Sequence, residues 1–294
     1  MNQKRDRWVS TFKEQKSSLL RLHMPSEFQS ILPFVLMAAV AGIFGGVLAF
    51  FWAPGIKSRS ALQHFAAGVV IGAVASDLVP EVEKIGAPVG ILAGFAAGGL
   101  AMTGLKWLVL KFEKREKERH QLPVGLAAAA AVDTLIDGAM ISAGFSTGRQ
   151  LGGLLAVALA VELFFLNLSV GTEFHKRKSK HLQGLAVTSG IAFFLLVGSV
   201  AGFFLLRGLS EATVAIFLAF GAAALIYLVA EELLVESIQA EESLFSTAML
   251  FAGFLVVLAF KLVGPNWGSV TAHVFSQSPF HQADVLCYAI LLQP

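Results

Sequence analysis

Eight carboxylates lie inside stretches of this chain that are otherwise apolar: Asp77, Glu81, Asp133, Asp137, Glu162, Glu231, Glu232 and Glu236. Almost no basic residue stands at a matching depth to pair with them. A carboxylate held at the centre of a bilayer is costly, and chains avoid the arrangement unless the group has a use. Two responses relieve the cost: the acid takes up a proton, or it binds a cation. The residues therefore point to cation handling inside a membrane.

The densest of these signals is Val-Asp133-Thr-Leu-Ile-Asp137-Gly138. Acids four residues apart share one helical face and lie about 6 Å apart along its axis. Two like charges that close in a low dielectric do not both ionise cheaply, and a divalent cation beside them removes the conflict. Gly138 leaves room for a neighbouring helix or a hydrated ion. Farther along, Glu162 sits in the middle of the next apolar stretch, with Asn167 slightly more than one turn later. Thr134 and Asn167 add neutral oxygens, so the expected site is Asp133, Asp137 and Glu162 with Thr134 and Asn167 as auxiliary ligands. Oxygen-rich sites of this kind suit cations. The plainer alternative for any one of these acids is a protonated carboxyl bonded to a neighbour. Three on consecutive helices are harder to explain that way.

The elements that must position them follow from composition. The chain has 294 residues, 56% hydrophobic and only 14% charged. A soluble domain carries roughly a quarter charged residues, so the chain reads as a polytopic membrane protein. A spanning helix needs about 20 mostly apolar residues. Eight segments qualify: 31–53, 61–82, 87–112, 123–146, 151–174, 184–206, 212–237 and 244–263. Pro54, Gly55, Pro88 and Pro123 punctuate them, and the charged runs Lys111–Gln121 and His175–His181 separate the third from the fourth and the fifth from the sixth. Nothing alternates like a barrel strand, so the fold class is all-α. Residues 1–30 form a basic segment with Trp8, Phe12, Leu19 and Leu22 at helical spacing, the pattern of an interfacial amphipathic helix, with a disordered polar leader as the alternative. Residues 31–263 form the membrane domain, and residues 264–294 a tail with no assigned role.

Net charge of +2 argues against nucleic acid as a partner, and the single Cys287 excludes an internal disulfide or a cysteine metal site. Lipids and divalent ions are the expected partners, and the glycine-rich helices leave room for a homodimer. Taken together, the loops after the first, third, fifth and seventh segments carry most of the Lys and Arg, all of it in the first three of them. Those loops are expected to be cytoplasmic, with both termini outside. An echo links Asp77-Leu-Val-Pro-Glu81 to Glu232-Leu-Leu-Val-Glu236: each is an acid-x-x-x-acid near the end of an apolar helix, in opposite halves of the chain.

These motifs resemble the ZIP family of divalent metal transporters. The stretch HFAAGVVIGAVASDLVPEVE (64–83) looks like the family's second helix, a Gly-rich run followed by Leu-x-Pro-Glu. The helix carrying Asp133 is similar to the family's His-Asn-x-Pro-Glu-Gly signature, with Asp133 at the His, Thr134 at the Asn, Ile136 at the Pro, Asp137 at the Glu and Gly138 at the Gly. Glu162 and Leu166 fall on the family's second His-x-x-x-Glu element. The resemblance covers roughly residues 31–263. It implies an eight-helix ZIP-like bundle, a one- or two-metal centre between the fourth and fifth spans, and elevator-like movement of one helix bundle against another. It also implies uptake toward the cytoplasm. The expected location is a bacterial inner membrane. Both family histidines are acids here, which shifts the expectation from zinc toward harder ions.

The function expected from the sequence is therefore transport of a divalent cation (zinc, manganese, iron, cadmium or similar) as substrate, with no permanent cofactor. Asp77, Glu81, Glu231, Glu232 and Glu236 would line the transport path. The alternative is a proton pathway, or a proton-coupled carrier of another solute, using the same carboxylates. An intramembrane aspartyl protease fits poorly, since Asp133 and Asp137 share one helix and a Gly-x-Gly-Asp motif is missing; no enzymatic activity is expected.

Overall fold

The computed structural model describes residues 26–51, 55–118, 124–176, 181–233 and 244–263. The basic N-terminal segment up to residue 25, the tail from 264 and Glu236 lie outside the described residues. What is described is helical apart from short turns, with no strand among the described residues. The helices are α1 (Ser26–Phe51), α2 (Ile56–Ala73), α3 (Val79–Lys84), α4 (Pro88–Glu118), α5 (Val124–Thr147), α6 (Arg149–Lys176), α7 (His181–Leu206), α8 (Glu211–Leu228) and α9 (Leu244–Val263). α2 and α3 are one rod joined through a π-helical turn, Val74–Leu78, and α8 continues into a second, Val229–Leu233. Counting the α2–α3 rod once, eight described helices are long and apolar enough to cross a membrane. By helix length and composition the chain is a multi-pass integral membrane protein.

The apolar segments read from sequence match these helices, but several helices run on past the apolar limits. α4 extends to Glu118 and α6 to Lys176. Lys, Glu and Arg are good helix formers, so the charged flanks carry the helix beyond the apolar stretch. Tight turns close the short connections, with Gly86 and Gly208 at positive φ (74° and 81°), a region open to glycine at little cost. Ser210 caps α8, its side chain accepting from the Thr213 backbone N–H at 3.3 Å.

Four helix pairs dominate the packing: α1 with α6, α2 with α9, α4 with α8, and α5 with α7. Successive spans alternate direction, so each of these pairs is parallel. Each is also sealed by glycine. A Cβ on Gly45 would strike the Phe164 carbonyl, one on Gly68 the Leu250 carbonyl, one on Gly98 the Phe220 carbonyl and one on Gly138 the Leu195 carbonyl. Without side chains in the way, backbones approach closely in lipid, where packing rather than hydrophobic burial holds helices together.

The pairs assemble into two groups of four spans. α1, α5, α6 and α7 form one, with contacts of α5 to α6 and α1 to α7 joining its two pairs; α2–α3, α4, α8 and α9 form the other. They meet along a seam where α6 packs on α2, and α5 on α4 and α8. α6 is the innermost span, 78% buried over its most apolar window, while α4 and α9 are 17% buried and face outward. By the alternation of direction, α1, α4, α6 and α8 end at the same face as α2, α5, α7 and α9 begin. That face carries the charged C-terminal ends of α4 and α6, and is called the basic face below.

Candidate metal centre

Asp133 and Asp137 stand near the middle of α5, and Glu162 near the middle of α6. Their side chains turn inward: Asp133 is 5% exposed, Asp137 4% and Glu162 1%. One carboxylate oxygen from each lies within 4.8 Å of those of the other two. Three acids from two antiparallel neighbours thus converge at mid-depth. The convergence depends on how closely the helices around them pack. Gly138 and Gly198 face each other's helix backbones, the Cβ of one meeting the Leu195 carbonyl and of the other the Leu135 carbonyl. Gly144 and Gly152 do the same between α5 and α6. Gly138 therefore admits a helix rather than an ion. A few residues on, the Ser142 hydroxyl donates to the Ser199 carbonyl at 2.8 Å, tying α5 to α7.

Two full charges about 4 Å apart repel by about 4 kcal/mol at an effective dielectric of 20. A fully ionised trio at this spacing therefore demands a positive charge or protons among its oxygens. The donor set is all carboxylate, with neither imidazole nor thiolate. Such a set favours hard divalent ions over soft ones, although zinc also accepts carboxylate oxygen.

Thr134 is wholly buried, and its hydroxyl donates to the Ala130 carbonyl of its own helix at 2.7 Å. Asn167 is also wholly buried and faces α7, its amide donating to the Thr188 carbonyl at 3.2 Å. Five residues turn a helix through about 140° beyond a full turn, so Asn167 stands on a different face of α6 from Glu162. Its carbonyl oxygen is buried and accepts no hydrogen bond.

Of the acids assigned to the transport path, Asp77, Glu81, Glu231 and Glu232 belong to the other group of helices. Asp77 lies in the first π turn and Glu231 in the second. Both have lysine partners from a neighbouring outer helix, contrary to the expectation that basic residues are lacking at their depth. Lys261 of α9 lies 3.2 Å from Asp77, and Lys106 of α4 pairs with Glu231. Glu81 pairs with Lys84 at 2.6 Å near the helix end.

Pro80 explains much of the first π turn. It has no N–H to give the Ser76 carbonyl four residues back, and its ring crowds that carbonyl. Lys261 donates to that same Ser76 carbonyl while holding Asp77, and the Ser76 hydroxyl donates to Asp77 at 2.6 Å. Lys106 and Lys261 were visible in the sequence as lysines inside apolar helices. The side-by-side placement that makes them partners is tertiary. By the same alternation of direction, the Lys106–Glu231 pair lies toward the basic face and Lys261–Asp77 toward the opposite one.

No protein-family model matches the chain, and no curated protein matches it in sequence.

Proposed function

We propose that this protein is a membrane carrier of divalent metal cations, with Asp133, Asp137 and Glu162 as the ligands that hold the ion at mid-membrane. The observation that carries the reading is the convergence of these three buried carboxylates within 4.8 Å of one another. A cation is the ligand that answers that much buried negative charge. The division into two groups of spans supports a moving-bundle mechanism of the kind the ZIP resemblance implies. The ligands all come from one group, so that group would carry the ion past the other. In this reading the ion crosses from one face to the other in alternating access, with its site near the midplane. Both α5 acids share a helix, an arrangement suited to ligation rather than to a two-element catalytic dyad.

Uptake of Zn²⁺, Mn²⁺, Cd²⁺, Fe²⁺ and Mg²⁺ into proteoliposomes, beside an Asp137→Ala variant, tests this. Flux of at least one ion that disappears in the variant is the expected result, with Mn²⁺ transported well relative to Zn²⁺. Absence of flux for every ion by well-folded protein, together with a proton leak that the variant abolishes, would replace the carrier by a proton pathway.

A further inference from the structure

About one turn from the carboxylates, on the side away from the basic face, each ligand-bearing helix touches the other group of helices. On α6, Ala158 packs with Val69, Ala73 and Val257, a contact of small and branched apolar side chains. On α5, Met140 follows Asp137 by three residues and so shares the acid-bearing face of that helix. Met140 is wholly buried, and its sulfur sits against Gly221 of α8, where a Cβ would collide with it. Among the described glycines with a close neighbour, every other one meets a helix of its own group; of these glycines, Gly221 alone receives a side chain from across the seam. The contacts also differ in kind. Gly45, Gly68, Gly98 and Gly138 abut helix backbone, which is fixed. The side chain lodged at Gly221 is unbranched, with three rotatable bonds, and can change its path.

We infer that Met140, seated in the notch at Gly221, is the latch that registers the ion-bearing group against the other group, and that it must withdraw before the two move. The latch's purpose rests on the carrier reading; its test does not. Groups that slide past each other need contacts that hold and then release. Packed interiors are dense and switch between discrete arrangements rather than deforming smoothly, so a knob in a notch defines a stop. In lipid that stop is held by close packing, because apolar burial favours no single arrangement of the helices. Met140 stands about one turn from Asp137 on the same face of α5, so the position it fixes is that of the ion site. It is a positioning residue: it sets where the carboxylates halt.

Cysteine reporters in the full chain, in proteoliposomes with Cys287→Ser as background, test this. Ala158→Cys reports on the seam, where Ala158 is buried. Ala49→Cys reports on the inside of one group, where Ala49 is buried against Gly171. Each is labelled with a small, neutral, membrane-permeant methanethiosulfonate, with and without a change at the latch. Met140→Ala is expected to raise the seam rate about tenfold or more, in line with the cost of truncating a well-packed core side chain, and to leave the Ala49→Cys rate nearly unchanged. Gly221→Ala fills the notch from the other side and should do the same; alanine is the better helix former, so a weakened α8 does not account for it. The two changes combined should raise the seam rate far less than the product of their separate effects, because they remove one shared contact. A seam rate unchanged in both single variants overturns the latch. So does an equal rise at Ala49→Cys, which is general loosening, and so does a combined effect equal to the product. Metal flux by the parent alongside any of these results keeps the carrier and removes the latch. Absence of flux in the parent, with the seam rate shifted as expected, removes the carrier and leaves two groups whose register Met140 sets.

Discussion

At the residue scale the proposed carrier turns on three carboxylates with one shared problem. Asp133, Asp137 and Glu162 are too close to be ionised together without a counter-charge. A metal ion that enters must displace whatever protons they hold, so metal affinity should rise with pH. Isothermal titration of the best-transported ion across mildly acidic to mildly basic pH checks this, and a flat profile would contradict proton displacement. Replacing Asp137 by Asn keeps the volume and removes one charge. Its affinity should fall on the order of 10- to 100-fold or more, since loss of a mere supporting partner already costs that much. Thermal unfolding offers an independent view: an ion at a hundred times its dissociation constant adds about 2.7 kcal/mol to the parent, a gain that Asp137→Asn should lose at the same concentration.

At the scale of elements, paired helices and their π turns set the geometry. Gly138 lies where α5 meets the α7 backbone, beside Asp137. Gly138→Val would force the two helices apart at the ligand site, an overpacking that costs about 1–3 kcal/mol. Both thermal stability and metal affinity should drop, whereas Gly99→Ala, at a mid-helix glycine with open space around it, should leave metal affinity unchanged and stability no lower. The lysine pairs lend themselves to a double-mutant cycle. Asp77 is 9% exposed at its side chain and Lys261 32%, so the pair is partly sheltered and worth more than a surface ion pair. Lys261→Met should destabilise the protein more than Lys261→Met combined with Asp77→Asn, with a coupling of about 1 kcal/mol or more. Additive effects in unfolding would show that Lys261 serves the Ser76 carbonyl alone.

At the scale of the whole molecule, the described helices form two groups of parallel pairs meeting at a seam. If they move as bodies, links within a group are harmless and links across the seam are not. Ser60 and Ser246 lie 3.3 Å apart, oxygen to oxygen, inside one group; a Ser60→Cys/Ser246→Cys disulfide in a Cys287→Ser background should leave metal flux near that of the parent. Leu62 and Leu168 face the same cleft from opposite sides of the seam. A Leu62→Cys/Leu168→Cys cross-link should stop flux, and reductant should restore it. Equal flux with and without the cross-seam link would mean that the ion passes without relative movement of the two groups.

The sequence by itself determined the class of protein, the helices and the candidate ligands. Apolar length, proline and charged runs are local signals, and they located the spanning segments because a helix in lipid satisfies its backbone within itself. The i, i+4 spacing of Asp133 and Asp137 likewise set two acids on one face without help from the rest of the chain. What the tertiary structure decided was company. It brought Glu162 to the α5 acids, turned Asn167 toward α7, gave Asp77 and Glu231 their lysines and set Arg59 against Ser169, at sequence separations from 21 to 184 residues. These neighbours follow from which helix faces carry glycine and which backbones can therefore touch. That is a property of surfaces matched in pairs, and no single segment of the chain contains it.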